Sequence, residues 1–177
     1  MPLVLVAGIS GAGKSAVCTE LQRRGYEAHD LDLDGNTVFV NRETGEVVPG
    51  HGSRSADSTE WFDTHDWCVV PEKIEAIAAQ SGGRTVFLCG MTKNEHEISH
   101  LLASVVYLSI DAETIQHRVA SRSSNDFGKA QHEMAAILEW HEFAEEQHRQ
   151  AGAVIVDATR PLNQVVDDVI RAAGAPT

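Results

Sequence analysis

Two arrangements of apolar residues alternate along most of this chain. Short continuous runs at 3–7, 85–89, 105–110 and 153–156 have the character of strands buried on both faces of a parallel sheet. Between them, apolar positions recur at helical spacing: Val17 and Leu21, Ile74 with Ile77 and Ala78, Ile115 and Val119, and Val165, Val166, Val169 and Ile170. A long helix over 130–150 is expected with Met134, Ile137, Leu138 and Phe143 on its apolar side and His132, His141 and His148 in solvent. Boundary residues agree with this division. Gly25 closes the first helix, Pro71 opens the second, Asp111 caps the helix after 105–110, and Pro161 opens the last.

Two segments complete the pattern. Residues 26–34 read as the second strand, with Asp30, Asp32 and Asp34 alternating with Leu31 and Leu33, which in an extended chain puts all three acids on one face. Residues 36–49 break the α/β rhythm: Thr37 to Val40, a polar turn at 41–45, and Glu46 to Val48 read as a β-hairpin, followed by a Gly/Ser/Asp-rich loop. The expectation is a three-layer α/β/α fold on a five-stranded parallel sheet, in a single domain over 1–177. An insertion at about 36–66 covers the acceptor side, and a small polar loop at about 123–130 forms a lid.

Chemistry enters at the first strand-to-helix junction. Gly8-Ile9-Ser10-Gly11-Ala12-Gly13-Lys14-Ser15, followed by Ala16, fits G-x-x-x-x-G-K-[ST] between an apolar strand and a helical pattern, the context this phosphate-binding loop requires. Glycines at 8, 11 and 13 let backbone N–H groups close around an anion without an obstructing Cβ. The positive end of the helix adds to the attraction. Lys14 would reach the β and γ phosphates and the Ser15 hydroxyl would ligate Mg²⁺. Binding of ATP or GTP is the direct implication.

Composition narrows the classes further. The 177 residues hold 26 acidic and 14 basic side chains, for a net charge of −12, which argues against a surface that reads nucleic-acid backbones. Cys18, Cys68 and Cys89 show no paired spacing, as expected of free thiols in a reducing cytoplasm. The apolar start is too short for a signal or a membrane span, so a cytoplasmic protein away from membranes is expected, as monomer or homodimer. His96-Glu97-Ile98-Ser99-His100 matches the zinc-protease H-E-x-x-H, but the longer form of that pattern fails at Ala103 and Val106, and the segment is a short connector.

Around the loop, several groups are candidates for the remaining work. The acids after the second strand would be neutralised by a magnesium–nucleotide complex. Arg118 and Arg122, an i,i+4 pair, project from one helix face toward the phosphate site. Arg42 and Arg54 are the cations of the insertion, and Trp61 and Trp67 flank it as a candidate aromatic wall. Cys89 stands at the end of the third parallel strand, where many P-loop proteins carry a magnesium-binding aspartate, so more of the metal work falls to the second-strand acids.

With these motifs in place, the chain resembles the small P-loop kinases that include adenylate, cytidylate, shikimate and gluconate kinases. Asp30-Leu31-Asp32 looks like the Asp-x-Asp of the shikimate kinase branch, which implies Asp30 in the metal role and Asp32 binding the acceptor hydroxyl as candidate base, with Asp34 beside it. The resemblance also implies Arg118 near the adenine, Arg122 near the phosphates, and a base-framing loop at Asp157, Thr159 and Arg160. On the acceptor side Asp32, Asp34, Arg42, Arg54, Gly90 and Asn94 are the expected contacts. The chain departs there from every branch: neither an Asp-Gly-[Tyr/Phe]-Pro-Arg motif nor a triple glycine follows the third strand. The expected activity is ATP- and Mg²⁺-dependent phosphoryl transfer to a small molecule, with a nucleotide-binding regulatory switch as the alternative.

Overall fold

The computed structural model describes residues 3–49, 63–123 and 127–175. Trp61, Arg54 and the 124–126 part of the expected lid lie outside these residues.

Five strands form a parallel sheet in the order β2-β6-β1-β7-β8: β1 (Leu3–Ala7), β2 (Glu27–Asp30), β6 (Val86–Cys89), β7 (Leu102–Ser109) and β8 (Val154–Asp157). The five strands read from the sequence are these. β1 is central, with Leu5 opposite Leu88 on one side and Val105 on the other. Its residues are at most 1% exposed, because helices cover both faces and strand alternation sends successive side chains to opposite sides. Val4 and Val6 pack with Val17 and Leu21 of α1 (Lys14–Arg23) and with Val165 and Val169 of α6 (Leu162–Ala172). Leu3 and Leu5 pack with Ile74 and Ala78 of α2 (Pro71–Gln80) and with Ala144 of α5 (Gln131–Gln150). α4 (Ala112–Ser121) adds Ile115 and Val119 to the first cluster, and Asp111 caps it by accepting from the Thr114 N–H at 2.7 Å.

Two details differ from the sequence expectation. β2 stops at Asp30: the N–H groups of Leu33 and Asp34 both turn back onto the Asp30 carbonyl, at 3.1 and 3.0 Å, and Gly35 takes a φ of +68°. Asp30, Asp32 and Asp34 therefore occupy a tight turn and do not share one face of a strand. Phe143, expected on the buried side of α5, is 44% exposed. The H-E-x-x-H segment is a short connector, as expected: α3 (Glu95–Ile98) ends before His100, which falls in the 3₁₀ turn Ser99–Leu101.

The insertion forms a three-stranded antiparallel sheet in the order β4-β3-β5. β3 (Thr37–Asn41) and β4 (Val47–Pro49) are the expected hairpin. β5 (His65–Val69) is a third strand, laid along β3 with Phe39 opposite Trp67 and Thr37 opposite Val69. The Asn94 side chain fastens β5 to the loop after β6, accepting from the Val69 N–H at 2.8 Å and donating to the Val69 carbonyl at 3.0 Å. The Lys93 N–H adds a bond to the Trp67 carbonyl at 2.8 Å.

Candidate active site

The carboxyl end of β1 opens into the glycine loop. Gly8 leaves the strand where a Cβ would stand 3.0 Å from the Ala12 Cβ and 3.1 Å from both the Leu108 Cβ and carbonyl oxygen of β7, so a side chain there would require these neighbours to give by a few tenths of an ångström. Gly13 reaches the helix start with φ +99°, a left-handed conformation that glycine adopts without strain. The Ala12 N–H closes a turn on the Ile9 carbonyl at 3.0 Å, and the Val17 N–H bonds the Gly13 carbonyl at 2.9 Å. The amides of residues 14–16 precede that first helical bond, the position in which helix N–H groups lack an intrahelical acceptor. That is an anion-binding arrangement at the positive end of α1.

Lys14 folds over this loop. Its Nζ donates to the Gly8 carbonyl at 2.7 Å and lies 3.3 Å from that of Ile9, which holds the ammonium against the loop. Burial lowers its pKa from the ordinary value, while the carboxylates of Asp32 and then Asp30 pull it back up. The two acids are thus the negative charges the ammonium senses most.

Asp30 is 7% exposed. Its Oδ1 accepts from the Asp32 N–H at 3.1 Å, whereas its Oδ2 is buried with no hydrogen-bond partner. A buried carboxylate oxygen in that state is costly unless a cation approaches it. Cys89 is the register neighbour of Asp30 across the sheet. A hydrogen bond with Cys18, together with burial, pushes the Cys89 thiol well up, which favours its protonated form. The donor set of a hard cation here is oxygen only, and the orphaned Asp30 oxygen with the Ser15 hydroxyl on α1 fits Mg²⁺.

Asp32 is held from the insertion: the Trp67 indole N–H donates to its Oδ1 at 2.8 Å. Sequence reasoning placed Trp67 only in an aromatic wall; the bond to Asp32 depends on β5, which was not recognised as a strand. Asp34 turns back on its own loop, accepting from the Asp30 N–H at 3.1 Å, with His29 Nδ1 3.8 Å away.

On the other side of the glycine loop, α4 delivers Arg118 and its C-cap delivers Arg122. Arg118 donates to the carbonyls of Ala12 at 3.3 Å and Ala158 at 2.8 Å, with that of Gly11 at 3.5 Å, and so ties the glycine loop to the turn after β8. Arg122 reaches the Ser10 hydroxyl at 3.2 Å and the Phe127 carbonyl, which joins the loop to the far side of the lid segment. Gly128 is buried, and its N–H is accepted by Glu133 at 2.8 Å, fixing the start of α5.

Several expected contacts are committed elsewhere. Asn94 is 9% exposed and its amide is used on Val69 and Glu97, so it positions β5. Gly90 makes room for Leu31, whose Cβ would stand 2.7 Å from a Cβ at position 90. Arg42 spans the small sheet to Asp66 at 2.9 Å and to the Asp63 carbonyl at 2.8 Å. Arg160 is turned onto Asp168 of α6. Asp157 organises its own turn by accepting from the Thr159 N–H and hydroxyl at 2.9 and 2.6 Å, which lowers its pKa. His148, expected in solvent, is half-buried beside Glu95 at 3.2 Å, with its ring 4.7 Å from that of Tyr107.

A parallel sheet with a lysine-bearing anion loop at the end of its central strand, arginines on one side and acids on the other defines a P-loop nucleotide-binding fold. A family model described as AAA domain matches residues 4–139, and the chain belongs to that family. The sequence has no match among curated proteins. Solved structures of similar fold are small P-loop kinases, as the sequence motifs implied. A shikimate kinase from Acinetobacter baumannii in complex with shikimate aligns with a TM-score of 0.60 at 14% identity, over 97% of this chain and 92% of that one. A sugar kinase from Janibacter sp. HTCC2649 gives 0.56 at 17%, over 100% and 99%, and a gluconokinase from Sinorhizobium meliloti 1021 gives 0.55 at 17%, over 98% and 91%.

Proposed function

We propose that this protein is an ATP-dependent phosphotransferase that moves the γ-phosphoryl group of ATP to a hydroxyl of a small molecule, with Mg²⁺ held by the Ser15 hydroxyl and Asp30. The observation that carries this reading is the convergence on one loop of Lys14, the Asp30–Asp32 pair, Arg118 and Arg122. The kinase names of the similar folds support it.

In this scheme the amides of the glycine loop receive the phosphates, and Lys14 exchanges its carbonyl partners for β and γ oxygens. Bound Mg²⁺ supplies neutralisation of phosphate charge. Arg122, already on Ser10, is placed to meet the charge that develops on the transferring group. Arg118 holds the loop to the turn after β8, where the nucleoside would lie. Asp32 binds the acceptor hydroxyl and takes its proton: the acceptor O–H bond breaks as its oxygen bonds the γ-phosphorus, the bond from that phosphorus to the bridging oxygen breaks, and ADP leaves with the bridging oxygen. The protein works in the cytoplasm, on ATP and a small acceptor.

The test is ADP release in the presence of gluconate, shikimate, deoxyadenosine, other nucleosides and neutral polyols. At least one compound is expected to raise the rate above that with water alone and to leave as its phosphate ester. A rate that no hydroxyl compound changes, with inorganic phosphate as sole product, replaces this reading with an ATP hydrolase or switch.

A further inference from the structure

Trp67 sits on the insertion, in a strand distant in sequence from the P-loop and the acids, yet its one polar atom is spent on Asp32. An indole N–H is donor only, so its partner must be an acceptor, and a carboxylate makes the bond charge-assisted. The torsion that turns an aspartate carboxylate is soft, with broad minima rather than sharp rotamers. On a tight turn such as 30–34, the direction of the Asp32 oxygens is therefore fixed by whatever binds them.

The indole is itself immobilised from three directions. Its ring lies against Phe39, with centroids 4.6 Å apart and planes at 51°. The backbone carbonyl of Trp67 accepts from the Lys93 N–H at 2.8 Å. Two residues on, Val69 is clamped by Asn94 through both its N–H and its carbonyl. The loop after β6, itself pinned to β1 by the Gly90 N–H on the Val6 carbonyl at 3.1 Å, thus sets the height of β5, and β5 sets the indole.

We propose that Trp67 is a positioning residue: it fixes Asp32 Oδ1 so that Oδ2 is presented to the acceptor hydroxyl, and the β3-β4-β5 sheet is the frame that holds it. The inference rests on Asp32 acting as the acceptor-binding base. It assigns the insertion a mechanical part in the reaction in addition to covering the acceptor side. Trp67 touches neither donor nor acceptor in this role; it acts through Asp32.

A double-mutant cycle separates this role from a merely structural one. ADP release is measured for the wild type, Trp67→Phe, Asp32→Asn and the double variant, with water alone and with each compound named above. A second replacement, 3-benzothienylalanine at position 67, keeps the bicyclic ring and removes only the N–H, and so answers the case in which Trp67→Phe loosens the sheet. Trp67→Phe and the isostere are both expected to lower kcat by about 10- to 100-fold, the scale of a small misplacement of a reacting group, with the KM for ATP within about twofold of wild type. In the Asp32→Asn background, the same changes at position 67 are expected to alter the rate by less than about twofold.

Two results overturn the proposal: full multiplication of the two effects, or an isostere as active as wild type. An enzyme in which Asp32→Asn is itself without effect loses its base, and the kinase scheme fails at that residue before Trp67 is reached. Wild-type protein that binds no nucleotide fails at the P-loop, and the two failures are told apart by calorimetry on ATP.

Discussion

The Asn94 side chain bonds Val69 in the way a neighbouring strand would, Oδ1 accepting its N–H at 2.8 Å and Nδ2 donating to its carbonyl at 3.0 Å. The bonds join the loop after β6 to the last strand of the insertion and, with the Lys93 N–H on the Trp67 carbonyl, fasten the small sheet to the central one. Val69 is 2% exposed, and water is a poor substitute for either bond.

Asn94→Ala removes both bonds and leaves two buried backbone groups unsatisfied, for a loss of about 2–4 kcal/mol. Urea titration followed by tryptophan fluorescence measures it. The Asn94 side chain bonds Val69 and Glu97 and not the P-loop, so ATP affinity is expected to stay within about twofold. A variant as stable as wild type contradicts the role of this clamp.

Arg122→Ala removes the guanidinium that bridges Ser10 and Phe127. Arginines that meet phosphoryl charge contribute about 10³-fold or more to turnover. Loss of about 10²- to 10³-fold in kcat is expected, with a smaller change in the KM for ATP. Arg122→Lys is expected to recover little, because an ammonium cannot span two partners as a planar guanidinium does. An Arg122→Ala enzyme with wild-type kcat removes Arg122 from the chemistry.

Stability near neutral pH is expected to depend on His148. Burial opposes its protonation, but the Glu95 carboxylate and the Ala144 carbonyl, at 3.2 and 2.7 Å, hold the proton, and its pKa is raised overall. A raised folded-state pKa contributes stability that is complete below the unfolded value, about 6.5, and disappears as pH rises through the folded value. Glu145 on α5 also lies near this cluster, bonded to Ser109 at 2.5 Å and paired with Arg149. Melting curves of wild type and His148→Gln between pH 5.5 and 8.5 are expected to converge as pH rises; a gap that widens with pH reverses the assignment.

The parts legible in the sequence are those in which one local pattern does several jobs. Leu3–Ala7, the glycine loop and α1 were readable together because strand, turn and helix each left a separate trace. β5 was not, since His65-Asp66-Trp67-Cys68-Val69 runs two polar residues into three apolar ones without the alternation that marks a strand, no tight turn joins it to its partner β3, and non-local pairing leaves no mark in a short window. The acids were located correctly but given the wrong geometry: alternation with Leu31 and Leu33 imitates a strand, while backbone bonds to the Asp30 carbonyl and the left-handed Gly35 make a turn. Leu33 is 67% exposed, which a strand inside the sheet would not allow. Residue type alone does not reveal that Asp168 stands within reach of Arg160, or Val69 within reach of Asn94.

The glycine loop and Lys14 make the account stand or fall on a triphosphate. Titration calorimetry of the full chain with ATP in the presence of Mg²⁺ measures this directly. Saturable binding of one nucleotide is expected, weakened at least about tenfold in Lys14→Ala, whose melting temperature without nucleotide should match wild type. Absence of any binding heat with ATP or GTP, together with a melting temperature that neither nucleotide moves, would contradict it.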